Sequence, residues 1–191
     1  MTHAVRIVFE THSLTVDNER GLATGWLGGA LSARGRALAA ELGERRGDDG
    51  VDVVFASDLA RAVETAEIAF GATGIPVGLD WRLREVDYGD LNGTPADAIA
   101  AERARRVDVP FPGGESYRDA VRRVAAFLDH VRGDCAGERI LLIGHTATRW
   151  ALDHLLDGRP LDRAVTAPFD WREGWEYHLD PTPRALAGAA V

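Results

Sequence analysis

Two short apolar runs in this chain each end on a histidine. They are Val5-Arg6-Ile7-Val8-Phe9-Glu10-Thr11-His12 near the start and Arg139-Ile140-Leu141-Leu142-Ile143-Gly144-His145 near the end. Runs of this kind read as buried parallel strands, and open α/β sheets place their chemistry at the C-terminal ends of such strands. Two imidazoles delivered to one sheet edge can divide the work, one as nucleophile or base and the other as a binding or protonating group. No cysteine accompanies them and no third ligand stands at metal-site spacing, so no metal and no cofactor are expected. Glu10 alternates onto the same face as His12 and brings a carboxylate close to the nucleophile.

The elements that must carry this pair follow from local pattern. Residues 14–31 hold Gly25, Gly28 and Gly29 without a sustained period and read as a long loop. Ser32 caps a helix running to Arg46, and Val51 to Ala56 is the next buried strand. Ser57 or Asp58 caps a helix with Leu59, Ala62, Ala66 and Phe70 on its inner side, ended by the Gly71–Gly74 segment. A short strand over Ile75–Leu79 precedes a charged, aromatic loop over 81–95. Helices are expected at 95–107 and, beyond the Pro110-Phe111-Pro112-Gly113-Gly114 breaker, at 116–132, with another near 147–157 after His145. Arg163–Phe169 and Trp175–Leu179 flank Asp170-Trp171-Arg172-Glu173-Gly174 and read as a hairpin. Strand and helix alternate, which predicts a three-layer α/β/α fold around a mostly parallel sheet.

Composition sets outer limits. The 191 residues, 46% of them hydrophobic, fit one domain over 1–180 with a loose tail over 181–191. With 22 Lys and Arg against 30 Asp and Glu, the net charge of −8 speaks against a nucleic-acid or anionic-membrane partner, so any bound anion must be attracted locally. The first apolar run is far too short to span a bilayer, and the expected location is the cytoplasm. Cys135 is the sole cysteine, which rules out an internal disulfide. Oligomeric state stays open, with a homodimer through the C-terminal edge as one arrangement.

Several segments together resemble the histidine phosphatase superfamily, which includes the cofactor-dependent phosphoglycerate mutases. Thr11-His12-Ser13-Leu14-Thr15-Val16-Asp17-Asn18 is similar to the opening Arg-His-Gly-Glu-Thr-x-x-Asn signature, sharing its His, Thr and Asn but carrying Thr11, Ser13 and Leu14 where that signature has Arg, Gly and Glu. Thr24-Gly25-Trp26 resembles the substrate loop, and Leu31-Ser32-Ala33-Arg34-Gly35 the following helix entry. Ala56-Ser57-Asp58-Leu59-Ala60-Arg61-Ala62-Val63-Glu64-Thr65-Ala66 resembles the segment that supplies a pocket arginine. Leu83-Arg84-Glu85-Val86-Asp87-Tyr88-Gly89 resembles the acid loop, Pro112-Gly113-Gly114-Glu115-Ser116 a helix start, and Gly144-His145 the second histidine.

The resemblance spans about residues 5–155 and implies a phosphoglycerate-mutase-like fold with assigned roles. His12 takes the phosphoryl group as a phosphohistidine that water hydrolyses, and Arg61 grips phosphoryl oxygens with its planar fork. His145 donates to those oxygens. Glu85 is the general acid and base, which requires a raised pKa, while Asp87 serves the loop. Thr11, Ser13, Asn18, Thr24 and Gly25 are the candidate substrate contacts, and Trp26, Trp81 and Tyr88 could form an aromatic wall. The implied activity is hydrolysis of a small phosphorylated metabolite. Thr11 in place of the arginine implies weakened activity unless Arg149 or Arg20 reaches in. It leaves a second reading, a relative repurposed for acid–base work or ligand binding without a phosphoryl group. Mutase activity ranks last, since no long basic insertion follows Tyr88.

Overall fold

The computed structural model describes residues 3–168 and 170–182, so Phe169 and most of the expected tail lie outside the described residues. The elements in chain order are β1 (Val5–Thr11), α1 (Val16–Glu19), β2 (Leu22–Ala23), α2 (Ala33–Arg46), β3 (Val53–Ala56), α3 (Ala60–Phe70), β4 (Val77–Leu79), β5 (Thr94–Pro95), α4 (Ala96–Glu102), α5 (Tyr117–Asp134), β6 (Arg139–Gly144), α6 (Thr146–Leu155), α7 (Leu161–Thr166) and β7 (Trp175–Leu179). The main sheet has the order β4-β3-β6-β1-β7. All its pairings are parallel except β1 with β7. This is the expected mixed α/β architecture, with a mostly parallel sheet and helices around it.

Both faces of the central strands are covered, which is why β1 and β6 are continuously apolar. Ile140 and Leu142 of β6 join the larger core beneath α5, α6 and α7, whereas Leu141 and Ile143 join the smaller one beneath α2 and α3. Complete burial of one such side chain contributes about 1.5–3 kcal/mol. Hydrogen bonds continue past the strand ends, from the His12 amide to Gly144 O and from the Ser57 amide to Ile143 O, both at 2.9 Å. The ends of β1, β6 and β3 therefore lie side by side.

The structure departs from the sequence reading at the C-terminal side. Among the described residues no hairpin joins 163–168 to 175–179. Pro160 caps α7, whose Leu161, Ala164 and Val165 are buried at helical spacing, and β7 instead adds antiparallel to β1. Short apolar runs fit either period, and packing decides this one. The loop over 14–31 also holds some regular structure: a capping box between Thr15 and Asn18 starts α1, and β2 pairs with β5. The 95–107 helix is split, with α4 passing into a 3₁₀ turn over Arg103–Arg106.

Glu10 does share the His12 face, where it meets α2. It is 3% exposed, and one of its carboxylate oxygens accepts from Arg46 Nε at 2.9 Å and from Arg45 Nη2 at 3.2 Å. Arg46 also donates to the Glu173 carbonyl at 3.0 Å, tying α2 and the segment before β7 to the sheet edge. The carboxylate on the His12 face is thus neutralised within the fold. Removing one partner strands the other charge, so Arg46→Ala should cost about 2–3 kcal/mol. In chemical denaturation Glu10→Ala/Arg46→Ala should lose clearly less than the two single losses added together. Additive losses would show that the pair does not couple these elements.

Candidate active site

The convergence of strand ends sets the first distances. The His12 and His145 rings lie 4.9 Å apart between centroids, tilted by 52°. His12 Nδ1 is 2.7 Å from Ser13 O. A carbonyl only accepts, so Nδ1 carries the proton and Nε2 presents its lone pair. His145 is N-cap of α6, and its Nε2 is 2.9 Å from Ser57 Oγ. Ser57, fully buried just past β3, is a site residue that the sequence reading treats only as a helix cap. The signal is its place one residue beyond a strand whose parallel neighbour β6 leads into His145.

Arg61, in the first turn of α3, lies between the two imidazoles. Its Nε donates to His12 Nε2 at 3.3 Å, and its Nη2 lies 3.3 Å from His145 Nδ1. The same guanidinium donates to Gly25 O at 2.8 Å and Leu27 O at 3.1 Å. Arginine cannot accept, so His145 Nδ1 is the acceptor and its Nε2–H donates to Ser57. Among the described residues no carboxylate is hydrogen-bonded to this 2% exposed arginine. Its hydrogen bonds go to carbonyls and ring nitrogens, while the charges of Glu85 and Asp17 act on it without a hydrogen bond.

These surroundings fix protonation. Burial, then the Arg61 charge, lowers His12 to about 3. The same two causes in the same order hold His145 well below the usual histidine range, with His12 adding to them. Both rings are neutral at pH 7, as a nucleophilic imidazole must be. Burial raises Glu85, opposed by the Val86 amide and then by Arg61. A raised pKa favours the protonated form of a carboxyl group.

Glu85 comes from the loop between β4 and α4. One carboxylate oxygen accepts from the amides of Val86 at 2.9 Å and Ala147 at 3.2 Å. Its carbonyl accepts from Trp26 Nε1 at 2.6 Å and Arg123 Nη2 at 3.2 Å. Arg123 in turn grips both oxygens of Glu115 at 2.8 Å, and Glu115 accepts from the Asp87 amide at 3.2 Å. Glu115, in the Pro-Gly-Gly-Glu-Ser segment, thus anchors the acid loop. Asp87 spends a carboxylate oxygen on Gly89 N and Asn92 Nδ2, a loop role as expected.

The remaining candidates divide. Thr11, Ser13 and Asn18 line a cavity that opens on His12 and His145. The Ser13 hydroxyl is already spent on Gly35 O at 2.6 Å, and its amide on Thr65 Oγ1. Asn18 Oδ1 accepts from the Thr15 amide, leaving its Nδ2 donors. Thr24 is buried, and Gly25 sits at φ +53°, where an added Cβ would fall 1.8 Å from Asn92 Oδ1, so only glycine fits there. Trp26 forms no open wall, since Arg84 covers its ring at 4.6 Å. Tyr88 packs edge-on against Phe111 inside the core, and Trp81 is exposed. Arg149 pairs with Asp153 at 3.0 Å beneath Trp175, and Arg20 is exposed at the end of α1. Neither lines the His12 cavity.

Residues 7–171 match the family model of the histidine phosphatase superfamily, branch 1. The chain belongs to this superfamily. It is 36% identical over 170 residues to a 2,3-bisphosphoglycerate-dependent phosphoglycerate mutase of Methylobacterium radiotolerans, covering 80% of this chain and 79% of the relative. Among solved structures it is similar to Bacillus stearothermophilus YhfR, with a TM-score of 0.79 at 27% identity over 89% of this chain and 88% of that one. It is also similar to a mycobacterial glucosyl-3-phosphoglycerate phosphatase, with a TM-score of 0.73 at 27% identity over 85% and 84% of the two chains. Phosphatases and mutases both stand among these superfamily relatives. Among the described residues no helix is long and apolar enough to cross a membrane.

The electrostatics give a measurable consequence. Following the imidazole carbons by NMR, neither His12 nor His145 should titrate between pH 8 and pH 5, and Arg61→Gln should move both protonations upward. His12 is depressed from 6.5 to about 3, so the unfolded chain binds more protons across that window, and stability falls as pH falls through it. His12→Gln should flatten this acid-side loss. An ordinary titration near 6.5 for both rings would refute the neutral pair.

Proposed function

We propose that this protein hydrolyses a phosphomonoester of a small metabolite through a phosphohistidine on His12. The observation that carries the reading is the polarity of the His12 ring: its proton is held at Nδ1 by Ser13 O, and its Nε2 lone pair faces the buried Arg61 guanidinium and the second histidine. Nε2 attacks phosphorus, the bond from phosphorus to the ester oxygen breaks, and Glu85 gives its proton to the departing oxygen. Glu85 then takes a proton from water, whose oxygen attacks phosphorus. The phosphorus–nitrogen bond breaks, returning His12 and releasing inorganic phosphate.

Arg61 changes partners in this scheme, exchanging His12 and the loop carbonyls for phosphoryl oxygens, where a charge-assisted fork is strongest. The Ser57 hydroxyl can donate as well as accept, so it supports either tautomer of His145. His145 can then present Nδ1–H to a phosphoryl oxygen. Thr11, the Nδ2 of Asn18 and the Thr24–Gly25 turn border the entrance.

The mutase names of the curated relatives support a second reading, in which the same phosphohistidine passes its group to a second acceptor instead of water. The two readings share His12 and differ in product. Incubation with labelled phosphomonoester followed by an alkaline quench should give acid-labile label on the wild type and none on His12→Ala. Glu85→Gln should slow release of inorganic phosphate by roughly 10²–10⁴-fold. Arg61→Ala should lower kcat by about 10²–10³-fold. Label retained in His12→Ala defeats the nucleophile assignment. Label that leaves only when a phosphorylated sugar acid is added favours the mutase.

A further inference from the structure

The cavity that opens on His12 is much larger than one phosphoryl group. At about 560 Å³ it falls in the range of sites for organic ligands, roughly 300–1,000 Å³. His12, His145 and Asn18 line one end. From there it runs between α2 and the segment before β7, where Leu14, Leu38, Leu42 and the Trp171 ring form its walls. Trp171 is 58% exposed and Leu38 36% exposed. A large indole held outside the core, beside leucines and next to His12, is an apolar surface without an occupant among the described residues.

Charge around this recess decides what it takes. Glu10 is neutralised by Arg45 and Arg46. Glu41 and Glu173 add two more carboxylates to the walls, and Glu173 stands 4.0 Å from Arg45. Arg34 has no hydrogen bond or ion pair among the described residues and sits at the rim in the first turn of α2, where a cation opposes the helix dipole. With Glu10 spent on Arg45 and Arg46, the two carboxylates Glu41 and Glu173 outnumber Arg34, the one lining arginine without an ion pair among the described residues, and make a poor cradle for a second anionic group. A planar guanidinium at the rim does suit the face of a ring.

Resting on the phosphomonoester reading, we propose that this recess selects the organic part of the substrate as a flat, uncharged aromatic ring system. Trp171 and the leucines enclose the ring, and Arg34 covers its open face. Esters of short polyols or sugar acids fill little of the space and, in the second case, bring a carboxylate toward Glu41 and Glu173.

Phosphonates, which cannot be hydrolysed, separate this proposal from the catalytic one. By calorimetry benzylphosphonate should bind at least roughly tenfold more tightly than methylphosphonate, and both Trp171→Ala and Leu38→Glu should erase that difference. In turnover, benzyl phosphate should exceed glycerol 3-phosphate in kcat/KM by a similar factor. That ratio should collapse in the same two variants and persist in Trp81→Ala, which alters an exposed tryptophan outside the recess. Equal affinity for the two phosphonates, or a preference that survives both recess variants, overturns the proposal. Tight benzylphosphonate binding without turnover of any ester keeps the recess and overturns the hydrolase reading.

Discussion

One buried guanidinium organises this site. Arg61 holds His12, His145 and the carbonyls of Gly25 and Leu27, groups from the ends of two strands of the main sheet and from the loop that follows β2. A cation taken from water without a hydrogen-bonded carboxylate is costly, and the fold must repay that cost through several dipoles aimed at one point. Burial is the larger cause of the lowered proton affinity of both imidazoles, and the Arg61 charge a few ångströms away adds to it. Arg61 therefore ties the site together and contributes to its protonation state.

Glu85 is held by a second framework. Arg123 ties the carbonyls of Arg82, Arg84 and Glu85 to the Glu115 carboxylate, so an otherwise irregular loop is fixed by one side chain of α5. Two amides, one from the N-terminal end of α6, hold the Glu85 carboxylate in place while burial raises its pKa. His12 stands at a strand end and Glu85 on a clamped loop. Burial moves their proton affinities in opposite directions, lowering the imidazole's and raising the carboxyl group's.

Much of this is legible in the order of residues alone. The alternation of buried runs and helical periods implies the sheet and its layers, because strands covered on both faces must be apolar throughout. The motifs around His12, Arg61, Glu85 and His145 name the groups that the fold then gathers. Contacts between distant segments stay hidden. Glu10 reads as a repulsive neighbour of the phosphoryl site, and only the packing of α2 shows that Arg45 and Arg46 absorb its charge. Trp26 reads as part of an open wall, but Arg84 and the Glu85 carbonyl claim it. Arg149 is placed by helical spacing to approach His145, yet Asp153 on the next turn binds it.

By itself, then, the sequence determined the strand-end histidines, the α/β layering and the membership of the chemistry-bearing residues, all of which depend on local period and on residue type. Tertiary structure decided the rest. It turned the 161–166 run into a helix, sent β7 to pair with β1, spent the Ser13 hydroxyl on α2, and opened beside Thr11 a recess bounded by Trp171. The physical reason is the same in each case: a short apolar run or a polar side chain has several nearly equivalent partners available to it, and only the packing of segments far apart in the chain selects one.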